Sequence, residues 1–206
     1  EQVVAAVPSG NSASSAPDKN GSSWPAAITF DTWDNLYVTD RYGSAVQFCR
    51  APYDSKSGSW TFSGAAIWSG PTYKNSSGNQ VAIPPQDLQV GDDGVTFYVS
   101  TASTQSIYKY TVDQSGNVSN VVALATGLED MVNNLAVDHA GNVYFIENSY
   151  DSASARVGGI RMISASAINN TPAGSATVAG AGDGKAESGL PRIDQGGFNG
   201  INGVSF

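Results

Sequence analysis

The side chains in this sequence that could do chemistry are mostly oxygen donors. Gln86 with Asp87, Asn133 with Asn134, and Asn199 with Asn202 each stand at the start of a short apolar run. Such carbonyl and carboxylate oxygens coordinate a hard cation or hold sugar hydroxyls. Nitrogen and sulfur chemistry is thin by comparison. His139 is the single histidine and Cys49 the single cysteine, too few for a multi-histidine or thiolate zinc centre or an internal disulfide. His139 falls in a turn beside Asp138, a poor setting for a Ser-His-Asp relay. Cys49 falls in an alternating apolar pattern, which predicts a buried thiol. The stretch GAGDGKAESG, residues 180–189, lacks the Gly-Lys-Ser/Thr ending and the following helix of a phosphate loop.

A second group of acids reads as structural. Asp31, Asp34, Asp92, Asp93 and Asp138 stand in short turns between apolar runs, where Asp and Asn bond their own backbone. Trp24, Trp33, Trp60 and Trp68 crowd the first third of the chain with several tyrosines. Aromatic rings stack on sugar faces, and they also fill the space between packed sheets. Trp33 is singled out as a ligand candidate because it stands at a turn tip, where little can bury it.

These residues sit on a repeat. Residues 26–40 (AAITFDTWDNLYVTD), 86–100 (QDLQVGDDGVTFYVS) and 133–147 (NNLAVDHAGNVYFIE) share one pattern: a short strand, an acidic turn, and a second strand rich in Tyr, Val and Phe. The turn pattern makes a tight hairpin with Asn or Gly at the positive-φ position. Two further strands follow each pair, at 45–50 and 60–68, 106–112 and 120–126, and 157–164 and 175–179. Four antiparallel strands per unit, repeated, describe a blade of a β-propeller. The expected fold is therefore all-β, with blades at 26–68, 86–126 and 133–179. Residues 1–10 match the outer strand of a preceding blade, and 199–206 the inner strand of a following one. About three blades are too few to close a ring, so the reading expects either a stretch of a longer chain or edges completed between copies. Extra length falls in two loops, near 70–85 and 165–197, both rich in Gly, Ser, Asn and Pro.

Composition narrows the partners. Only 14% of residues are charged, and the net charge is -8. An acidic chain without a Lys/Arg cluster is a poor binder of nucleic acid and of anionic membrane surfaces. No apolar run approaches the roughly 20 residues of a helical span, so membrane insertion is not expected. Asn-X-Ser/Thr sequons occur at Asn20, Asn75, Asn117 and Asn169, candidates for glycosylation in a secretory setting.

The segments PAAITFDTWDNLYVTD, NNLAVDHAGNVYFIENS and SATVAGAGDGKAESGLPRIDQGGFNGINGVSF resemble the NHL type of β-propeller, related to gluconolactonase-like and strictosidine-synthase-like propellers. The resemblance covers most of the chain from Trp24 onward and implies a ring of about six blades. It places Gln86, Asp87, Asn133, Asn134, Asn199 and Asn202 at a central funnel. Lactonase-like relatives hold a divalent metal there with Glu, Asn and Asp. Asp87 and Asn134 stand at two such places, while Ala27 occupies the position of the Glu. Ca2+ is the cofactor this implies, though no cofactor is demanded by the residues themselves. The expected function is a secreted, periplasmic or cell-surface scaffold that binds a protein or carbohydrate ligand. Its rivals are a metal-dependent lactonase-like hydrolase and a self-assembling surface protein joined by strand exchange between copies.

Overall fold

The computed structural model describes residues 25–42, 45–60, 72–74, 77–82, 85–101, 105–128, 132, 134–150, 156–170 and 178–179. They form an all-β fold of antiparallel sheets with one short helix. Sheet 1 joins β1 (Pro25–Phe30), β2 (Leu36–Tyr42) and β3 (Ala45–Ala51). Two small hairpins follow, β4 (Tyr53–Asp54) with β5 (Ser59–Trp60), and β6 (Thr72–Lys74) with β7 (Gln80–Ala82). Sheet 2 joins β8 (Pro85–Val90), β9 (Thr96–Thr101), β10 (Ser106–Val112) and β11 (Val118–Thr126). Sheet 3 joins β12 (Leu135–Val137), β13 (Val143–Tyr150) and β14 (Arg156–Ile163). The helix α1 (Ala165–Asn170) and the two-residue β15 (Val178–Ala179) come last.

The expected inner pairs and turns form where the repeat puts them, but the fourth strands differ. Only sheet 2 shows four consecutive antiparallel strands among the described residues. Trp60 belongs to the β4–β5 hairpin and does not pair with β3, and residues 61–70 lie outside the described residues. The strand expected to finish the third unit pairs instead with the second: Val178 and Ala179 run parallel to Ala125 and Thr126 of β11. The outer edge of β11 offers unpaired N–H and C=O groups, and a short segment from either unit can satisfy them. A stretch expected to be loop also holds α1, started by Ser164, whose Oγ accepts the N–H of Ala167. Ile168 anchors this helix in the core.

Strand alternation gives each sheet two distinct faces. In the hairpin registers Tyr37 of β2 lies opposite Thr29, Tyr98 of β9 opposite Gln89, and Tyr144 of β13 opposite Ala136. These three tyrosines hold one repeat position and define a tyrosine face. The neighbours of each point the other way, Leu36 and Val38, Phe97 and Val99, Val143 and Phe145, and define an aliphatic face. The tyrosine face of sheet 1 packs on the aliphatic face of sheet 2, where the Tyr37 ring meets Phe97 edge-on at 4.7 Å. The tyrosine face of sheet 2 packs in the same sense on sheet 3, joining Tyr98 and Ile107 to Leu135, Val143 and Phe145 in one core. The first strands meet as well: β1 and β12 both lie against β8.

The turns are built from one motif used three times. Asp31, Asp113 and Asp138 each accept, through Oδ1, the backbone N–H groups two and four residues on. The other oxygen of each accepts Nδ2 of the Asn four residues on. In the first and third turns that Asn reaches onward, and its Oδ1 accepts the N–H of Tyr53 or of Ala165 beyond the third strand. Positive φ falls one residue before the Asn, on Asp34, Gly116 and Gly141. Asp34 was not foreseen in that role; its short polar side chain tolerates the left-handed region better than most.

Gly94 closes the remaining turn at φ +67. Its carbonyl accepts the N–H of Thr32 from the first turn at 2.8 Å, tying sheets 1 and 2 together at their tips. A Cβ on Gly94 would stand 2.5 Å from Thr32 Cβ and 2.9 Å from Thr32 N. Gly94→Ala therefore meets both a left-handed backbone and a backbone collision. We expect it to destabilise the fold by about 2–4 kcal/mol, read as a lower denaturant midpoint. Gly78→Ala is the control, since only φ opposes it there.

Candidate functional site

The funnel candidates lie where β8 begins. A bulge between Pro85 and Asp87 lets Ser100 Oγ accept the N–H of Asp87, and the same bulge recurs in sheet 1, where Thr39 Oγ1 accepts the N–H of Ala27. By register Ala27, Asp87 and Asn134 hold one repeat position, immediately before Ile28, Leu88 and Leu135. Gln86 and Asp87 are both buried, and Asn134 is half-buried with its backbone carbonyl facing the N–H of Ile146. Asn133, Asn199 and Asn202 lie outside the described residues. The structure thus sets Asp87 beside the segment that carries Asn134, and does so through backbone groups.

Both Asp87 oxygens are engaged. Oδ1 accepts the N–H of Leu88 at 2.7 Å, and Oδ2 accepts the N–H of Leu135, the residue after Asn134, at 2.6 Å. Ser100 Oγ donates to Val132 O at 2.7 Å, a second tie between sheet 2 and the segment leading into sheet 3. Burial pushes the Asp87 carboxyl up to about 6, against the two N–H bonds that hold it down. The two donors aim their positive ends at the oxygens that a cation would need. Asp87 therefore fits a Ca2+ site poorly and a strand staple well. Among the described residues no three His, Cys, Asp or Glu side chains converge as metal ligands.

Asp31, Asp93 and Asp138 act as caps, as their spacing predicts, whereas Asp34 holds the positive-φ position and Asp92 meets His139. The Asp113 and Asp138 carboxyls are held below the usual range, chiefly by the Asn117 and Asn142 amides, and that of Asp93 is lowered by the Thr96 hydroxyl and nearby N–H groups against the pull of burial. Trp33 is half-buried at the first turn, its backbone N–H given to Asp31. Of the sequons, Asn117 donates its Nδ2 to Asp113, the atom a glycan would occupy. Asn169 is exposed on α1, and Asn20 and Asn75 lie outside the described residues. The Cys49 side chain is likewise outside what is described.

Three groupings escaped the sequence reading. His139 Nδ1 lies 2.7 Å from Asp92 Oδ2, bridging the tips of the second and third units, and Asp92 raises the imidazole above its usual range. Arg50 donates Nε to the Tyr37 hydroxyl and Nη2 to Gln114 O in the next unit. Neither partner could be read from spacing, because both contacts span units. The third grouping is a surface. Ile28 and Phe30 of β1 are 62% and 45% exposed, the large hydrophobic side chains that stand out among the described residues. Phe30 leans on Trp60, whose ring also meets Tyr53 and whose Nε1 donates to Asp34 O.

No helix of the described residues is long and apolar enough to cross a membrane. No protein-family model and no curated protein matches this chain.

Proposed function

We propose that the chain is an arc of an NHL-type β-propeller, secreted, periplasmic or at a cell surface, that serves as an interaction scaffold for a protein or carbohydrate ligand. Support for the arc is the stacking of sheets in one sense, tyrosine face on aliphatic face, with β1, β8 and β12 adjacent. A blade array stacks in this way. The observation that carries the scaffold reading is the exposed apolar pair Ile28 and Phe30 on sheet 1, with Trp60 of the β4–β5 hairpin against Phe30, in a sparsely charged chain. Contiguous exposed apolar and aromatic side chains mark a contact surface. The acids near the funnel, by contrast, are engaged in caps and staples.

Tryptophan emission tests this, because Trp60 sits at the patch. The chain is titrated with neutral oligosaccharides and with extracellular proteins of the source. A saturable response that weakens at least tenfold in Phe30→Ser is the expected result. A flat response to every probe sinks the scaffold. Lactone hydrolysis that depends on added Ca2+ would put the hydrolase reading in its place.

A further inference from the structure

The turn between β1 and β2 has two others of the same design to stand beside. In each, the third residue gives its N–H to the opening aspartate and the fourth takes positive φ: Ser115 and Gly116 after Asp113, Ala140 and Gly141 after Asp138, Trp33 and Asp34 after Asp31. The fold thus needs nothing larger than Ser or Ala at the first of these places and favours Gly at the second. The first turn instead sets a tryptophan and a carboxylate there. Asp34 is exposed and Trp33 half-buried. Among the described residues nothing bonds the Asp34 carboxylate or the indole N–H of Trp33. The backbone beneath them is braced, since Trp60 Nε1 donates to Asp34 O at 2.6 Å and Asn35 Oδ1 accepts the N–H of Tyr53. Nor does the openness of this tip depend on what packs against the outer face of sheet 1. The turns of the second and third units each have a unit packed before them, and still expose Asp92 and Asp93, and His139 and Ala140.

We infer that Trp33 and Asp34 form a saccharide site at the tip of the first turn, which takes a neutral pyranose of an oligosaccharide. An indole ring stacks on the apolar C–H face of a pyranose, and a carboxylate accepts hydrogen bonds from its hydroxyls. The indole N–H of Trp33 and the hydroxyl of exposed Thr32 belong to the same turn. A sugar hydroxyl both gives and takes hydrogen bonds, so it answers all of these groups. An ammonium or guanidinium group answers the carboxylate and the ring but has no acceptor for the indole N–H. The neutral sugar is thereby favoured over a basic peptide. This tip is a contact separate from the apolar pair of Ile28 and Phe30, so it goes beyond the scaffold reading and either can fail alone.

The test is binding of the intact chain to a printed array of neutral glycans, acidic glycans and basic peptides. Affinity for the strongest neutral binder is then measured by titration calorimetry on the wild type, Trp33→Ala, Asp34→Gly and Phe30→Ser. A neutral pyranoside should bind, and Trp33→Ala and Asp34→Gly should each weaken it roughly tenfold or more, while Phe30→Ser leaves it unchanged. Asp34→Gly should at the same time hold or raise the thermal midpoint, because glycine takes positive φ at no steric cost, so that lost binding is not lost folding. Binding of no neutral glycan overturns the inference, as does a neutral glycan whose affinity survives Trp33→Ala or Asp34→Gly. So does binding of basic peptides alone. A sugar released by Phe30→Ser but not by Trp33→Ala would place the contact at the apolar pair, overturning the tip site and upholding the scaffold reading.

Discussion

Asp31→Ala is expected to destabilise the protein by about 3 kcal/mol or more, whereas Asp113→Ala, in a turn of the same design, should cost only a small fraction of that. Asp31 is buried and accepts four hydrogen bonds: from the N–H groups of Trp33 and Asn35, from Asn35 Nδ2, and from the Tyr37 hydroxyl. Removing it strands donors that water cannot reach. Burial also keeps the Tyr37 hydroxyl protonated, its titration pushed well above the usual range, so it has a proton to place. The loss would spread further, since Tyr37 receives Arg50 Nε, and Arg50 reaches Gln114 O in the next sheet. Asp113 makes the same local bonds on an exposed turn, and there water replaces most of what is lost.

Asp31→Asn keeps the shape and should still cost a large share of this. Its Nδ2 would face Asn35 Nδ2 and the Tyr37 proton. Asn35 cannot turn over to accept, because its own Oδ1 already takes the N–H of Tyr53. Thermal unfolding checks all three variants; for a chain of this size about 3 kcal/mol corresponds to roughly 6–12 °C. Equal effects at Asp31 and Asp113 would show that the turn alone, and not its burial between sheets, sets the cost.

How far the sequence reaches follows from the same residues. The Asp-x-x-x-Asn turns, the alternating strands and the all-β class are local, and local chemistry repeats itself visibly. What joins one unit to the next is not local. The Thr32–Gly94, Asp92–His139 and Arg50–Gln114 contacts each link residues of different units, and no periodicity reports them. The placement of β15 on β11 was hidden for a related reason: a two-residue strand carries no pattern to assign it to either sheet. Asp87 was legible as a residue apart but not in its role. Its neighbours in sequence suggest a ligand; its neighbour in space, the N–H of Leu135, makes it a staple.

That role has a consequence for pH. The Asp87 carboxyl titrates at about 6 in the folded chain, against 3.8 as its ordinary value. The folded state therefore takes up this proton earlier as pH falls, so stability rises as pH drops from neutrality through about 6 and levels off near 3.8. A shift of this size corresponds to roughly 3 kcal/mol across the window. His139 adds to the same slope, since its raised titration gives stability that is present below 6.5 and lost as pH rises through the folded value. Being exposed, it is screened by salt. The lowered acids Asp54, Asp93, Asp113 and Asp138 act the other way, but only below about 3.8. The midpoint of denaturant unfolding should thus be higher at pH 5 than at pH 7.5, and remain so in high salt. Asp87→Asn should flatten the slope that high salt leaves, because an amide has no proton to gain. The substitution also sets a donor against the N–H of Leu88 or Leu135, so the variant should be less stable than the wild type at pH 5. At pH 7.5 the gap should narrow, as the amide escapes the cost of a buried charge. A wild-type midpoint that instead climbs from pH 5 to 7.5 would mean that the Leu88 and Leu135 amides outweigh desolvation, and that Asp87 staples the two sheets as a full carboxylate.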